Sequence, residues 1–80
     1  MQFTSSALKH CTKQDVVHAI RNVIRYKAEY RSEVDLYIGP AQSGDLLEIL
    51  VNTANDESVV FHADKLREPL AKQLGRRGNT

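Results

Sequence analysis

The sequence has little of what a secreted or membrane-spanning protein needs. A single cysteine, Cys11, excludes an intrachain disulfide, and a secreted domain of 80 residues would normally depend on such bonds. No apolar run approaches the roughly 20 residues that cross a bilayer. The first residues also lack the charged start and apolar core of a signal peptide. We therefore expect a cytoplasmic protein that makes no contact with a membrane.

A strong charge of one sign is also missing. Eleven Lys and Arg stand against ten Asp and Glu, so the formal net charge is +1. Proteins that bind nucleic acids usually carry a clear basic excess. The total charge therefore argues against RNA or DNA as a ligand, unless the cations are gathered on one surface.

The composition is otherwise ordinary for a folded domain, with 41% apolar and 26% charged residues. The length predicts one domain over residues 1–80. A chain this short buries only about 60% of its unfolded surface, so its stability margin should be thin. A homodimer or a complex with a partner protein would relieve that deficit.

The clearest local pattern is the start of a helix. Thr12 supplies a hydroxyl N-cap and Asp15 a carboxylate three residues later, which is a variant of the capping box. Apolar residues then recur at helical spacing, namely Val16, Val17, Ile20, Val23 and Ile24. The pattern predicts an amphipathic helix. The segment before it, up to about His10, suits either a short strand or a single helical turn.

Beyond this helix the apolar period changes from 3.6 to 2, which indicates strands. The segments at 25–31 and 34–38 alternate in this way, 46–53 is almost continuously apolar and suits a central strand, and 58–63 is the fourth predicted strand. Leucines four apart, from Leu66 to Leu74, predict a last helix, followed by a flexible tail at 76–80. We therefore predict an α+β fold with one or more N-terminal helices, a four-stranded antiparallel meander and a C-terminal helix.

His62 is the strongest candidate for chemistry. If Val59, Phe61 and Ala63 face the core, His62 points with Val60 to the other side of the strand. A half-exposed imidazole there can transfer protons near neutral pH. Lys65 and Arg67 follow within five residues. RNA cleavage by internal attack needs such a group beside cations. A surface histidine bonded to the backbone would produce the same pattern.

Other cations could complete a basic surface. Arg25, Lys27 and Arg31 share one face of the first predicted edge strand, while Lys9 and His10 precede the helix. Charged edge strands are also a common guard against aggregation, so both interpretations stay open. The sequence has no metal-ligand pair at CxxC or HxxxH spacing and no phosphate-binding loop. We expect neither a metal nor another cofactor.

Two segments resemble a known family. Ser6-Ala7-Leu8-Lys9-His10-Cys11-Thr12 is similar to the H-A-x-x-K-H-G-[VI]-S/T segment of BrnT-like toxins, in the wider RelE/ParE superfamily. Val59-Val60-Phe61-His62-Ala63 looks like their last strand. Short uncharacterised toxin-like bacterial proteins share further pieces, across roughly residues 6 to 71, namely Ile38-Gly39-Pro40, Ser43-Gly44, Leu46-Leu47-Glu48 and His62-Ala63 with Arg67.

The resemblance implies a toxin of a type II toxin-antitoxin system that cleaves RNA without a metal and is neutralised by a cognate antitoxin. By this resemblance Lys9 and His10 match the family's K-H pair, and His62 and Arg67 match its strand-end motif. Together with the cations of the residue pattern, the candidate catalytic residues are His62, Arg67 and His10, and the candidate RNA-binding residues are Lys9, Lys65, Arg25, Lys27 and Arg31. Cys11 replaces the family's usual glycine, and Asp64 stands where the toxins tend to carry arginine, so the activity is either intact or weakened. The alternative is a non-catalytic protein-interaction module of the same fold.

Overall fold

The computed structural model of the protein describes residues 1–67. The predicted C-terminal helix around Leu70 and Leu74 lies outside the described residues, as does the predicted tail at 76–80. Within the described part, the chain forms five strands, one α-helix and two single 3₁₀ turns. In chain order these are β1 (Gln2–Phe3), a 3₁₀ turn (Ser6–Leu8), α1 (Lys13–Arg21), β2 (Arg25–Arg31), β3 (Val34–Pro40), β4 (Leu46–Asn52), a second 3₁₀ turn (Ala54–Asp56) and β5 (Val59–Lys65).

The five strands form one mixed sheet in the order β1-β5-β4-β3-β2. Strands β2 to β5 pair antiparallel with their neighbours, while β1 pairs parallel with β5. The predicted arrangement, a four-stranded antiparallel meander between N-terminal and C-terminal helices, is therefore wrong. Apolar alternation could not reveal β1, because two residues are too few to show a period. Hydrogen bonds to β5 define it instead, from the Gln2 amide to Ser58 and from the Thr4 amide to Val60.

Helix α1 begins where the capping pattern predicts. The Asp15 amide donates to Thr12 Oγ1 at 3.1 Å, and Thr12 has the extended backbone of an N-cap. The helix ends earlier than its apolar stripe suggests. Val23 and Ile24 lie beyond Arg21 and are 38% and 57% exposed, because the chain already turns into β2 there. At nine residues, α1 is too short to cross a membrane, and no other helix within residues 1–67 could do so.

The main core lies between α1 and one face of the sheet. It contains Ala7 from the first 3₁₀ turn, two helix residues, and small or branched residues of β4 and β5. Gly39 of β3 lies so close to α1 that a Cβ there would collide with the carbonyl oxygen of Ala19. Glycine thus lets the helix approach the sheet closely. This face is buried by the helix, whose side chains Val16 and Ala19 are fully covered.

A second apolar cluster occupies the opposite face of the sheet. Val34, Leu36, Ile38 and Leu50 are buried there, and Tyr30, Phe61 and Leu66 pack against them. The sheet is therefore apolar on both faces, as the nearly continuous apolar sequence of β4 requires.

A β-bulge in β5 decides which side chains reach which face. Val51 pairs with Val60 and Leu50 pairs with His62, so Phe61 is an extra residue between them. Val60 and Ala63 join the helix-side core, whereas Phe61 packs on the opposite face, where His62 also lies. The expectation that Phe61 faces the core with Ala63, and that Val60 lies on the other face with His62, is wrong. It assumed an unbroken alternation.

Candidate functional site

A buried carboxylate lies at the centre of the candidate site. Glu48 is 1% exposed and is the only buried charged or polar residue among residues 1–67. It comes from the middle of β4, between Leu47 and Ile49 of the helix-side core, and points to the opposite face. Removing a charge from water is costly unless the protein supplies charged and hydrogen-bonding partners. Ionised Glu48 is therefore stable only with charged or hydrogen-bonding groups in contact with it.

Two residues supply those partners. His62 Nε2 lies 2.8 Å from Glu48 Oε2, and Arg67 Nε lies 2.7 Å from the same oxygen. The backbone amide of Arg67 donates to Glu48 Oε1 at 2.9 Å. Pairing between β4 and β5 brings these groups together, and a further bond from the Leu66 amide to the Leu46 carbonyl extends the ladder to Arg67.

These contacts set the charges of the site. Burial by itself would raise the pKa of Glu48, but the hydrogen bonds from the Arg67 amide, His62 and the Arg67 guanidinium hold the pKa below its ordinary value of 4.5. In return, the hydrogen bond to Glu48 raises the pKa of Arg67. Near neutral pH the site therefore contains a carboxylate and a guanidinium cation.

The carboxylate also fixes the tautomer of His62. An ionised carboxylate only accepts hydrogen bonds, so the imidazole nitrogen 2.8 Å from Glu48 must carry a proton. In the neutral ring, Nδ1 is then left with its lone pair. The side chain of His62 is 33% exposed. His62 is thus an oriented imidazole with one nitrogen ready to accept a proton.

A depression of about 590 Å³ opens beside this cluster. It combines two guanidinium groups, an imidazole and two aromatic rings, contributed by three strands and the segment after β5. Its lining residues are Tyr30, Arg31, Leu50, Phe61, His62 and Arg67. Such a surface suits a ligand that carries both an anionic group and a flat ring, because guanidinium binds phosphate or carboxylate and aromatic rings stack.

An irregularity in β2 brings Tyr30 and Arg31 to the depression. Lys27 pairs with Leu36 and Arg31 with Val34, so three residues of β2 lie opposite Asp35 alone. In a regular strand Tyr30 and Arg31 would point to opposite faces. Here both line the same depression, with the Arg31 Cζ 5.8 Å from the Tyr30 ring centroid.

Asp35 stabilises that irregularity from the other face of the sheet. Its Oδ1 accepts from the Glu29 amide at 2.9 Å, and its Oδ2 accepts from the Tyr26 hydroxyl at 3.0 Å. Glu29 has a φ of 51°, a left-handed conformation that costs free energy and needs such support. The hydrogen bond to Asp35 raises the pKa of Tyr26.

The structure brings some of the predicted site residues together and separates others. His62 and Arg67 meet at Glu48, and Arg31 lines the same depression. His10 does not line it. His10 follows the first 3₁₀ turn and is exposed, between Ala7 and Cys11, which both belong to the helix-side core.

The other predicted RNA-binding residues lie outside the depression. Lys9 is exposed, next to His10 in the sequence. Lys65 Nζ lies 4.0 Å from Asp45 Oδ2, and the side chains of Lys65 and Asp45 are both exposed. Arg25 and Lys27 pair with Ile38 and Leu36 and so share the face of the depression without lining it. Within residues 1–67, no three His, Cys, Asp or Glu side chains are grouped so that they could hold a metal ion.

The sequence interpretation did not identify two residues of the site, Glu48 and Asp35. Glu48 could have been identified, because it is the only charged residue in the apolar run of β4. A carboxylate there must either break the strand or find buried partners. Asp35 is harder to identify, because it fits the ordinary polar alternation of β3. Only the pairing of β3 with β2 shows that Asp35 lies opposite the irregular part of β2.

Acidification tests the role of Glu48. Because its pKa is lower in the folded chain, ionised Glu48 stabilises the fold above its ordinary pKa, and this contribution is lost as the pH falls below 4.5. We expect Glu48→Gln to reduce the free energy of unfolding near neutral pH by about 2 kcal/mol and to flatten its acid dependence. Urea unfolding across the acid range measures both. Glu57→Gln, at an exposed turn, is the control, and equal profiles for the two variants would contradict this role.

Titration of tyrosine tests the contact between Asp35 and Tyr26. We expect Asp35→Ala to lower the pKa of Tyr26 towards its ordinary value of 10.0, because the hydrogen bond that raises it is gone. Phenolate absorbance follows the change, and Tyr26→Phe assigns the signal. The pKa of Tyr37 is raised first by burial and should move less. An unchanged Tyr26 titration would show that Asp35 does not accept a hydrogen bond from Tyr26.

Comparison of the chain with protein-family models, with curated proteins and with solved structures finds no match. The resemblance to BrnT-like toxins thus stays a hypothesis that depends on the short segments quoted above. The Glu48–His62–Arg67 cluster and the depression beside it are the features of the structure that bear on function.

Proposed function

We propose that the protein binds RNA in the depression and cleaves it without a metal, as a toxin-like component of a type II toxin-antitoxin system. The observation that carries this proposal is the contact of Glu48 with both His62 and Arg67. It joins a proton acceptor and a cation at one edge of an open surface. The resemblance of the segments around His10 and His62 to BrnT-like toxins gives separate support.

The proposed reaction is internal attack by the ribose. His62 Nδ1 takes the proton of the 2′-hydroxyl, and the 2′-oxygen then attacks the adjacent phosphorus. Arg67 and Arg31 bind the phosphate oxygens, whose charge grows in the transition state. The bond from phosphorus to the 5′-oxygen breaks, a 2′,3′-cyclic phosphate forms, and the leaving oxygen takes a proton from water. The protonated His62 then gives its proton to the hydroxide that remains. Glu48 holds the imidazole and stabilises its protonated form, as the carboxylate of a catalytic triad does.

We also propose that the protein acts in the cytoplasm and that a cognate antitoxin is its partner. A cytoplasmic protein would meet its RNA substrate directly. A cognate antitoxin would block the reaction by covering the depression, since a standard protein interface buries about 800 Å² on each side. His10, Lys9 and Lys65 have no part in this reaction, because they do not line the depression.

A second candidate function is a non-catalytic interaction module. It is favoured by three exposed apolar side chains that are near one another in the sequence. Val23 and Ile24, between α1 and β2, are 38% and 57% exposed, and Tyr26 in β2 is 51% exposed. Exposed apolar groups of this kind suit a contact with a second copy of the chain or with a partner protein. A protein that forms a stable dimer but leaves RNA intact would favour this alternative.

Cleavage by the purified protein tests the proposed reaction. With a metal chelator present, we expect the wild type to cut a fluorescent RNA and leave 2′,3′-cyclic phosphate ends. His62→Gln keeps an amide that can donate to Glu48 but cannot transfer the proton, so the rate should fall at least about 100-fold. His10→Gln and His18→Gln are matched controls and should keep the wild-type rate.

Circular dichroism and urea unfolding must show that the three variants remain folded. Wild-type protein that leaves the RNA intact in chelator would refute the proposed activity. A folded His62→Gln variant that cleaves at the wild-type rate would refute the role of His62.

A further inference from the structure

Strand β2 carries a row of cations on the same face of the sheet as the depression. Arg25 pairs with Ile38, Lys27 with Leu36 and Arg31 with Val34. The three partners belong to the apolar cluster on that face, so the three cations share it. All three are exposed.

These cations are not neutralised within the described part of the chain. Among residues 1–67, the ion pairs are those of Glu48 with His62 and Arg67 and that of Lys65 with Asp45. Arg25, Lys27 and Arg31 take part in none of them. Cations that only guard a sheet edge need not favour either face of the strand. Their common orientation is better explained by an anionic ligand that lies along β2.

The spacing of the row suits an extended chain of phosphates. Successive residues on one face of a strand are about 6.6 Å apart, and β2 is an edge strand of the sheet, paired with β3 alone. A backbone running beside β2 would therefore pass Arg25 and Lys27 and then reach Arg31 at the rim of the depression.

The two aromatic rings indicate which form of RNA fits. Tyr30 and Phe61 line the depression together with His62. They can stack on bases only if those bases leave the helical stack, as in single strands and loops. A duplex would keep its bases stacked on one another and its two phosphate rows too far apart for one row of cations.

We infer that the substrate is single-stranded RNA and that it enters along β2, with Arg25 and Lys27 binding the phosphates that flank the one at His62. This inference rests on the proposed function for its choice of RNA. It adds a binding track outside the reacting site, so its effect depends on the length of the substrate.

The test compares binding of a long strand with cleavage of a dinucleotide. The variant Arg25→Gln/Lys27→Gln removes two cations of the track. The matched control Lys13→Gln/Arg21→Gln removes two exposed cations of α1, on the opposite side of the sheet. Both variants have the same net charge. The probes are a single-stranded RNA of about 12 nucleotides, its duplex, and a dinucleotide that reaches only the depression.

We expect the track variant to bind the single strand about tenfold more weakly and to reduce the salt dependence of log Kd by about 1.4, or roughly 0.7 for each lost cation. The control should bind as the wild type does, and dinucleotide cleavage should be unchanged in both. Equal loss in the two variants, no loss in the track variant, or a duplex that binds as tightly as the single strand would overturn the inference. Failure of the wild type to cleave the dinucleotide would refute the proposed reaction, while the binding comparison would still decide the track.

Discussion

The buried carboxylate of Glu48 is the constraint on which the rest of the site depends. A negative charge at 1% exposure in the middle of an apolar strand is unstable without partners, and the chain supplies His62, Arg67 and the Arg67 amide. The pairing of β4 with β5 places Asp64 opposite Glu48, and Asp64 Oδ1 accepts from the Lys65 amide. The contacts of the Arg67 guanidinium and amide with Glu48 hold Arg67 in place just after β5.

The contact between Glu48 and His62 contributes both to the stability of the fold and to the proposed chemistry. An imidazole that only stabilises a buried charge could be replaced by any donor, but His62 also lines an open depression with Arg31, Tyr30 and Phe61. Two departures from regular strand geometry create that surface. The bulge in β5 brings Phe61 and His62 to one face, and the irregularity in β2 does the same for Tyr30 and Arg31. Bulges often re-aim side chains next to functional sites, and here two of them converge.

Several parts of this structure could be predicted from local sequence patterns, because local physics decides them. The cap at Thr12 follows from a hydrogen-bonding side chain, β2 and β3 from apolar alternation, and β4 from a nearly continuous apolar run. The mixed sheet could not be predicted, because β1 has two residues and exists only through its bonds to β5. The structure brings His62 and Arg67 together at Glu48, whereas His10 and Lys65 do not line the depression. The number of residues between two side chains does not predict whether they come into contact when a bulge shifts the register of the strand.

The most direct test of the account is the tautomer of His62, measured by nitrogen-15 NMR of the imidazole at a pH where the ring is neutral. Ionised Glu48 can only accept a hydrogen bond, so the account predicts a proton on Nε2 and an unprotonated Nδ1. That result would show an imidazole oriented as a base by the buried carboxylate. A ring protonated on Nδ1, or one that exchanges freely between both forms, would mean that Glu48 does not orient His62, and the proposed chemistry would lose its foundation.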